Sequence, residues 1–361
     1  MAESEPKPPG RRRFIRISAA MSGLALLPMP DGHAAAHADT AGKLRIWHGT
    51  ALGADATMQL HHPDPVAADA LVARCLREAR RLEQVFSLYR PGSAISRLNR
   101  AGHLDDPPME LVELLGISRQ FSGLTGGAFD VTVQPLWTLY AAHFSAPDAN
   151  PRGPAPERIA TALRRVGAAG VQVSTTRLGF TTAGMQITLN GIAQGYITDR
   201  IVALLRAEGI DRSLVDMGEI RTIGTRPDGH RWTVGLQDPE APDRISGEIL
   251  IANEAVATSG GYGTLLDPAG RFNHIFDPAT GGSSTAYRSV SVVAPTATTA
   301  DALSTGFCLM PLAACQEVAD RLGIRAHFVL SDGTRLVLRS RPGAPRQQSR
   351  APAVVSPATL R

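Results

Sequence analysis

The stretch from Ala257 to Thr305 reads ATSGGYGTLLDPAGRFNHIFDPATGGSSTAYRSVSVVAPTATTADALST. Its first half is rich in glycine and proline, which predicts irregular backbone. From Ser289 to Pro295 β-branched and small residues alternate, which predicts a buried strand. Thr298 or Thr299 can then cap a helix. The stretch therefore combines an irregular segment, a buried strand and a helix.

The predicted helix carries two oxygen-bearing side chains on one face. Asp301 and Thr305 are four positions apart, so on a helix their side chains lie one turn apart. A carboxylate and a hydroxyl placed in this way suit Mg²⁺ better than zinc. The spacing also fits a structural role, in which Asp301 interacts with the helix dipole and Thr305 bonds back to a carbonyl. The spacing alone leaves both interpretations open.

Two glycine-containing segments indicate backbone that approaches a ligand. Residues 189–196 read LNGIAQGY and connect a predicted strand to a predicted helix, so the helix N-terminus could bind an anion. The segment lacks the Lys-Ser/Thr pair of a P-loop and the dinucleotide fingerprint, and a tight packing turn would also explain it. Residues 125–132 read TGGAFDVT, where two glycines before an aromatic residue and a carboxylate allow close backbone approach.

Length, charge and cysteines limit the possible classes of protein. A chain of 361 residues can form one large domain or two lobes. The net charge of +4 is small and no basic patch is evident, so we expect no nucleic-acid binding. Cys308 and Cys315 are expected on one helix, about 10 Å apart along its axis and too far apart for a disulfide. With Cys75 they make an odd number of cysteines, which we expect as buried thiols.

The N-terminus has the features of an export signal. Residues 11–16 read RRRFIR, which fits the twin-arginine pattern, and an apolar stretch follows over residues 17–29. This stretch is too short to span a bilayer, and the AHA sequence at residues 36–38 fits a cleavage site. We therefore predict a twin-arginine signal peptide over residues 1–38. The mature protein would begin near Asp39, in the periplasm and without a stable membrane anchor.

The remaining patterns predict a domain over residues 39–340 with a mixed sheet and flanking helices. Leu44–Leu60 is predicted as one strand with a break at Gly49-Thr50. Apolar residues recur at helical spacing from Val66 to Phe86. The last residues, 341–361, are mainly Pro, Ala, Ser, Gln and Arg and are predicted to form a disordered tail.

Several of these segments together resemble the ApbE family, the FAD:protein FMN transferases. HIFDPATG at residues 274–281, followed by a strand and by ADALST at residues 300–305, is similar to the C-terminal signature of that family. The segments at 125–132 and 189–196 also match family motifs, and the motifs follow one another along the chain in the order found in the family. The resemblance implies a two-lobed α/β (α+β), T-fold-like structure of mixed sheets with flanking helices. FAD would lie in the cleft between the lobes.

The resemblance also assigns roles to individual residues. It implies that the carbonyl of Gly191 and the side chains of Asp301 and Thr305 bind Mg²⁺, and that His274 is the general base. Seen without the resemblance, His274 beside glycine-rich turns also fits a structural role. The flavin contacts implied by motif position are His48, Tyr89, Ala128, Phe129, Asp130, Thr188, Gln194 and Ile275.

Four positions depart from the family pattern. His48 stands where Met is usual, Thr188 where Asp is usual, Gln194 where Lys is usual, and Glu219 where Gly is usual. Without the lysine, phosphate stabilisation is expected to depend more on Mg²⁺ and backbone amides. The segments LNGIAQGYITDR and VDMGEIRTIG are most similar in sequence to the NosX-type branch, which is associated with nitrous-oxide reductase maturation.

The resemblance implies an activity in which FMN is transferred from FAD to a Ser or Thr hydroxyl of a partner protein, with Mg²⁺ required and AMP released. The NosX-like sequence of these two segments suggests an acceptor flavoprotein with a NosR-like FMN-binding domain. Two alternatives remain open at this point. Water could replace the partner hydroxyl, which would make the protein an FAD pyrophosphatase, or the protein could be a flavin-binding carrier without turnover.

Overall fold

The structure, a computed structural model, describes residues 43–51, 54–241 and 244–343. The predicted signal peptide and most of the predicted tail lie outside these residues. Arg341, with which the predicted tail begins, is bonded to the fold, because its backbone N–H and guanidinium donate to the Asp320 carboxylate at 2.7 Å each. No helix in the described part is both long enough and apolar enough to cross a membrane.

Strands and helices alternate irregularly along the described chain. The strands are β1 (Lys43–Ala51), β2 (Ala54–His62), β3 (His103–Asp105), β4 (Val171–Val173), β5 (Arg177–Phe180), β6 (Ser213–Asp216), β7 (Ile220–Ile223), β8 (Trp232–Gln237), β9 (Ile245–Ile251), β10 (Ala255–Ser259), β11 (Tyr287–Ala294), β12 (Arg325–Leu330) and β13 (Arg335–Arg339). The helices are α1 (Pro65–Phe86), α2 (Ala94–Ala101), α3 (Met109–Leu124), α4 (Gln134–Phe144), α5 (Pro156–Leu163), α6 (Ala193–Ala207), α7 (Ala297–Phe307) and α8 (Leu312–Leu322).

An eight-stranded sheet forms the centre of the molecule, in the order β1-β2-β6-β7-β10-β11-β12-β13. A three-stranded sheet, β3-β5-β4, forms a smaller lobe with the neighbouring helices, and β8 pairs with β9 as a separate ribbon. All ladders among the described residues are antiparallel. The predicted α+β class with flanking helices is confirmed, whereas the strand pairing is antiparallel and not mixed.

Both faces of the central sheet are covered. Helices α1, α6 and α7 pack over one face, and Val215 of β6 belongs to the core on that side. The neighbouring Leu214 points to the other face, where it packs with Trp232 and Ile249 of the β8-β9 ribbon. Successive side chains of a strand alternate between faces, so the run of apolar residues in β6 fits a strand that is covered twice.

In the first half of the fold, one predicted helix is confirmed and one predicted strand is wrong. Helix α1 has almost the predicted bounds, and Asp64 caps it by accepting the N–H of Val66 at 2.8 Å. The predicted single strand from Leu44 to Leu60 is instead the β1-β2 hairpin, in which Lys43 pairs with His62. The break predicted at Gly49-Thr50 is wrong, because both residues lie within β1. Residues 52–53, which connect the two strands, lie outside the described part.

The predicted helix that would carry both Cys308 and Cys315 is two helices. Helix α7 ends at Phe307, and Pro311 is the N-cap of α8, where it prevents a continuous helix. The cysteines therefore lie on different elements. All three are free and buried, as predicted, and burial raises the pKa of the Cys75 and Cys315 thiols to about 12.

Candidate functional site

Helix α7, which carries Asp301 and Thr305, is held at its N-terminus by protein groups. Thr296 is the N-cap, and its hydroxyl accepts the N–H of Thr299 at 3.2 Å. Asp199 of α6 accepts the N–H groups of Ala297 at 2.8 Å and Thr298 at 2.9 Å. The prediction that Thr298 or Thr299 is the cap was wrong, because Asp199 binds Thr298 from a distant part of the sequence.

Asp199 connects α6, α7 and β7 in one buried network. Its carboxylate also accepts the hydroxyl of Thr298 at 2.6 Å and pairs with Arg221 of β7. The Asp199 side chain is 0% exposed and that of Arg221 is 11% exposed. Removal of one partner of such a pair leaves an uncompensated buried charge. The position of α7 therefore depends strongly on a single carboxylate of α6.

We expect Asp199→Ala to lower the free energy of unfolding by about 3–5 kcal/mol, the usual cost of breaking a buried ion pair from one side. Chemical denaturation of the FAD-free protein measures this loss. Asp69→Ala is the control, because Asp69 pairs with Arg45 at 2.6 Å in an exposed site, where such a pair contributes about 0–1 kcal/mol. Equal losses in the two variants would contradict the role assigned to Asp199.

The three predicted cation ligands lie together. Asp301 is buried, and its Oδ2 accepts the N–H of Gly195 at 3.0 Å. A Cβ placed on Gly191 would lie 2.8 Å from Thr305 Oγ1, so the Gly191 backbone is in contact with Thr305. Thr305 Oγ1 is also 3.1 Å from Ser259 Oγ. A carboxylate, a hydroxyl and a glycine loop thus meet where the first turn of α6 contacts α7.

Asp301 interacts electrostatically with the buried carboxylate of Glu219, which in turn interacts with that of Asp216. Burial raises the pKa of Asp301 to about 7 and that of Asp216 to about 7. The pKa of Glu219 is raised well above its ordinary value by burial first, and then by the charges of Asp301 and Asp216. Uncompensated negative charge is therefore costly in this region. A bound proton or a cation would relieve that cost.

The chemistry of the donors limits the cation that could bind. Among the described residues there is no group of three or more His, Cys, Asp or Glu side chains arranged to hold a metal, so a zinc site of nitrogen and sulfur ligands has no support there. The groups that do meet are oxygen donors, namely the Asp301 carboxylate, the Thr305 hydroxyl and the Gly191 carbonyl. Such a set with few charged members fits Mg²⁺, which usually keeps several waters.

The TGGAFD loop at residues 125–130 contacts α7 next to Thr305. A Cβ on Gly306 would lie 3.1 Å from Thr125 Cγ2 and 3.3 Å from Phe129 Cβ. The ring of Phe129 is buried and packs edge-on against Phe121, with 6.3 Å between ring centroids. Ala128 is half-buried beside it. The loop thus borders the cation ligands, while the Phe129 ring belongs to the core.

Asp130 and Thr188 hold neighbouring loops together. Asp130 Oδ1 accepts the N–H and the hydroxyl of Thr132 at 2.8 and 2.6 Å, and Oδ2 accepts the N–H of Ala168 at 2.8 Å. Thr188 donates its N–H to the carbonyl of Val131 at 2.7 Å. Both side-chain oxygens of Asp130 therefore already accept hydrogen bonds within the protein. The contacts join the TGGAFD loop to the segment that leads into the Gly191 loop.

Gln194 lies against the turn between β6 and β7. A Cβ on Gly218 would overlap the Gln194 amide nitrogen and lie 2.8 Å from its Cδ. Gln194 also directly precedes Gly195, whose N–H donates to Asp301. The side chain at the family's lysine position therefore packs against the turn that carries Glu219.

His274 and Ile275 lie on an irregular segment that is tied to the end of α7. Ile275 is buried, and its carbonyl accepts the N–H of Ser284 at 2.8 Å, while the Ser284 hydroxyl donates to the carbonyl of Cys308 at 2.5 Å. His274 is half-buried, with Nδ1 3.4 Å from the carbonyl of Thr264. A carbonyl can only accept, so this contact places a proton on Nδ1 and leaves Nε2 as the basic nitrogen of the neutral ring.

Tyr89 and His48 lie farther from the cation ligands. Tyr89 is 61% exposed and lines a cleft of about 420 Å³ together with Asn99, Trp137 and Asn190. Asn190 directly precedes Gly191, so the cleft adjoins the Gly191 loop. His48 is exposed on β1, and its Nδ1 is 3.1 Å from Thr57 Oγ1. The described contacts do not join His48 to the other predicted residues.

Two residues of this site had no role in the sequence-based prediction. Asp199 is a carboxylate on the buried face of α6, and an acidic residue among apolar neighbours at helical spacing was the available signal. Ser259 is the last residue of β10 and bonds to both Ser304, at 2.8 Å, and Thr305. Nothing local in the sequence marks Ser259, because its partners are on α7.

Comparison with known proteins gives one family. Residues 52–328 match the model of the ApbE family. An FAD:protein FMN transferase of Klebsiella pneumoniae (strain 342) is 28% identical over 326 residues, which cover 87% of this chain and 92% of that protein. An FAD:protein FMN transferase of Treponema pallidum (strain Nichols) is 32% identical over 275 residues, covering 69% of this chain and 74% of the relative.

Solved structures with the same fold include the ApbE protein of Thermotoga maritima, with a TM-score of 0.73 and 29% identity over 83% of this chain and 97% of that chain. The flavin transferase ApbE of Vibrio cholerae has a TM-score of 0.70 and 26% identity over 84% of this chain and 100% of that chain. These matches confirm the predicted fold class.

Proposed function

The chain belongs to the ApbE family, and on that premise we propose that it is an FAD:protein FMN transferase that moves FMN from FAD to a Ser or Thr hydroxyl of a partner protein. The observation that carries the proposal is the meeting of Asp301, Thr305 and the Gly191 loop, which adjoins a cleft through Asn190. The acceptor oxygen forms a bond to the phosphorus of the FMN half. The bond from that phosphorus to the bridging oxygen breaks, and AMP leaves with that oxygen.

The cation is Mg²⁺ in this proposal, held by the Gly191 carbonyl, Asp301 and Thr305. When bound, it would polarise the pyrophosphate and stabilise the charge on the leaving AMP. The Asp301 carboxylate contributes the formal negative charge of this set. Gly195 keeps the carboxylate in place through its N–H, and Asp199 fixes the helix that carries it.

His274 is the proposed general base. A hydroxyl is a weak nucleophile at neutral pH, so a base within hydrogen-bond reach accelerates its attack. The contact of Nδ1 with the Thr264 carbonyl orients the ring and leaves Nε2 to accept the hydroxyl proton. The polypeptide otherwise acts by positioning the groups and neutralising charge, as is general for phosphoryl transfer.

Incubation with FAD, Mg²⁺ and an acceptor domain tests the proposed activity. AMP together with a flavinylated acceptor, detected by mass and by fluorescence on a denaturing gel, is the expected result. AMP with free FMN would indicate a pyrophosphatase, and unchanged FAD that stays bound would indicate a carrier. We propose a NosR-like FMN-binding domain as the acceptor, on the similarity of residues 189–200 and 215–224 to the NosX-type branch. An acceptor variant without its Ser or Thr is the control.

We also propose that the protein acts in the periplasm after twin-arginine export. The RRRFIR sequence at residues 11–16 supports this. Replacement of Arg11 and Arg12 by Lys should leave the precursor in the cytoplasm, because Sec export tolerates lysine and the twin-arginine route depends on the arginine pair. Fractionation followed by immunoblotting measures this. Arg13→Lys, at the variable position of the motif, is the control and should be exported normally. Detection of the Arg11 and Arg12 double mutant in the periplasm would contradict the proposal.

A further inference from the structure

Glu219 is a buried carboxylate whose bonding is incomplete. It lies in the turn between β6 and β7 and is 7% exposed. An oxygen of its carboxylate accepts the N–H of Thr258 in β10, whereas Oε2 has no hydrogen-bond partner among the described residues. A buried carboxylate oxygen without a partner costs free energy. Such an atom therefore calls for a ligand or another explanation.

The surroundings of Glu219 bring its carboxylate into electrostatic range of Asp301 and connect it to the proposed cation ligands. Gly218, which precedes Glu219, contacts Gln194, and the next residue along α6, Gly195, donates to Asp301. On the other side, Glu219 is bonded to Thr258. Ser259, the residue after Thr258, contacts Thr305 at 3.1 Å. Two separate paths of contacts thus connect Glu219 to Asp301 and to Thr305.

The carboxylates of Glu219 and Asp301 differ from that of Asp199 in having no cationic side chain as a partner in the described part of the chain. Asp199 is paired with Arg221. In the described part of the chain, by contrast, neither Glu219 nor Asp301 takes part in an ion pair with an arginine, lysine or histidine. Two buried carboxylates that interact electrostatically repel each other unless a cation or a proton lies between them. A divalent cation would satisfy both.

We propose that Glu219 is a further ligand of the cation bound by Gly191, Asp301 and Thr305, so that two carboxylates hold it. This inference rests on the proposed cation site and adds to it a residue at a position where the family pattern has glycine. More ligand charge gives tighter binding of a hard cation. The site would consequently bind a divalent cation before FAD arrives, with the two carboxylates and not the pyrophosphate as its main source of negative charge.

Titration of the FAD-free mature protein with Mn²⁺ tests this, with free Mn²⁺ followed by electron paramagnetic resonance. Mn²⁺ is the probe because it takes the same oxygen ligands as Mg²⁺. Glu219→Gln keeps the shape of the side chain and the acceptor for Thr258. It should weaken Mn²⁺ binding by at least about tenfold, which corresponds to about 1.4 kcal/mol. Asp301→Ala should abolish binding, and Asp69→Asn, in the exposed pair with Arg45, should not change it.

The outcomes separate this inference from the proposed function. Unchanged Mn²⁺ affinity in Glu219→Gln, with binding lost in Asp301→Ala, would overturn the role of Glu219 and leave the cation site intact. Unchanged affinity in both variants would overturn the cation site itself. Absence of Mn²⁺ binding by the wild-type protein without FAD would overturn the two-carboxylate site.

A second measurement covers the possibility that a variant folds poorly. Because a bound ligand stabilises the native state, saturating Mn²⁺ should raise the thermal midpoint of the wild-type protein more than that of Glu219→Gln. Glu219→Asp retains the charge but shortens the side chain by one methylene, so it should recover part of that shift. An equal shift in all three proteins would overturn the role of Glu219.

Discussion

Asp301→Ala is expected to abolish FMN transfer while the protein still folds. Asp301 contributes formal charge to a cation that few protein groups would hold, and such a site is sensitive to the loss of each ligand. Loss of the cation would leave the charge that develops on the departing AMP without stabilisation, and this kind of electrostatic term is usually a large part of catalysis. FAD could still enter the cleft, but AMP and flavinylated acceptor should not accumulate.

The measurement is the initial rate of AMP release over a range of Mg²⁺ concentrations, with circular dichroism as the check on folding. Asp320→Ala is a matched control, because Asp320 is an aspartate of the adjacent helix α8 that bonds to Arg341 and not to the site. It should retain the wild-type transfer rate. Full activity of Asp301→Ala at ordinary Mg²⁺ concentrations would remove the cation assignment.

The same variant has an expected signature in stability. Burial raises the pKa of Asp301 from 3.8 to about 7, so the folded protein holds this proton more tightly than the unfolded chain does. The cation-free wild type should therefore lose stability as the pH rises from about 4 to about 7, since ionisation is costly only in the folded state. Asp301→Ala should lose less over that window. Denaturation midpoints at several pH values, in the presence of a chelator, measure the difference.

Elements with a strong local pattern could be predicted from the sequence. Helix α1 has apolar residues at helical spacing and an aspartate at its N-cap, so both its type and its start are encoded within the helix and its cap. The β12-β13 hairpin is marked in the same way by Asp332-Gly333 between two strand patterns. The four-residue spacing of Asp301 and Thr305 also sufficed to place both on one face of a helix.

Features that depend on distant partners could not be predicted. Thr298 has the chemistry of an N-cap, but Asp199 binds it across 99 positions in sequence, and the cap moves to Thr296. Gly49 looked like a strand break because it lacks a side chain. In the fold its backbone lies under the Trp47 indole, which would overlap any Cβ there. The incomplete bonding of Glu219 is likewise visible only when β10 is placed beside it.

His274→Ala is expected to lower the rate of FMN transfer by about 10²–10⁴-fold, the usual contribution of a positioned acid or base. Affinity for FAD should change little, because Ile275 and the cation ligands remain in place. The backbone N–H of residue 274 donates to the Thr264 carbonyl at 3.2 Å, and this bond survives the substitution. His103→Ala is the control, because His103 is an exposed histidine of the smaller lobe.

The pH profile of transfer decides between a base and a packing residue. If Nε2 takes the hydroxyl proton, the wild-type rate should fall toward low pH, because a protonated imidazole cannot act as a base. That decrease at low pH, the acidic limb of the profile, should be absent from the residual activity of His274→Ala. A histidine that only packs against the Thr264 segment predicts a different result, in which stability and FAD affinity fall together and the limb is retained. A retained limb with unchanged FAD affinity would transfer the base role to Asp277, the aspartate of the HIFDPATG segment, to Asp130, or to the metal alone.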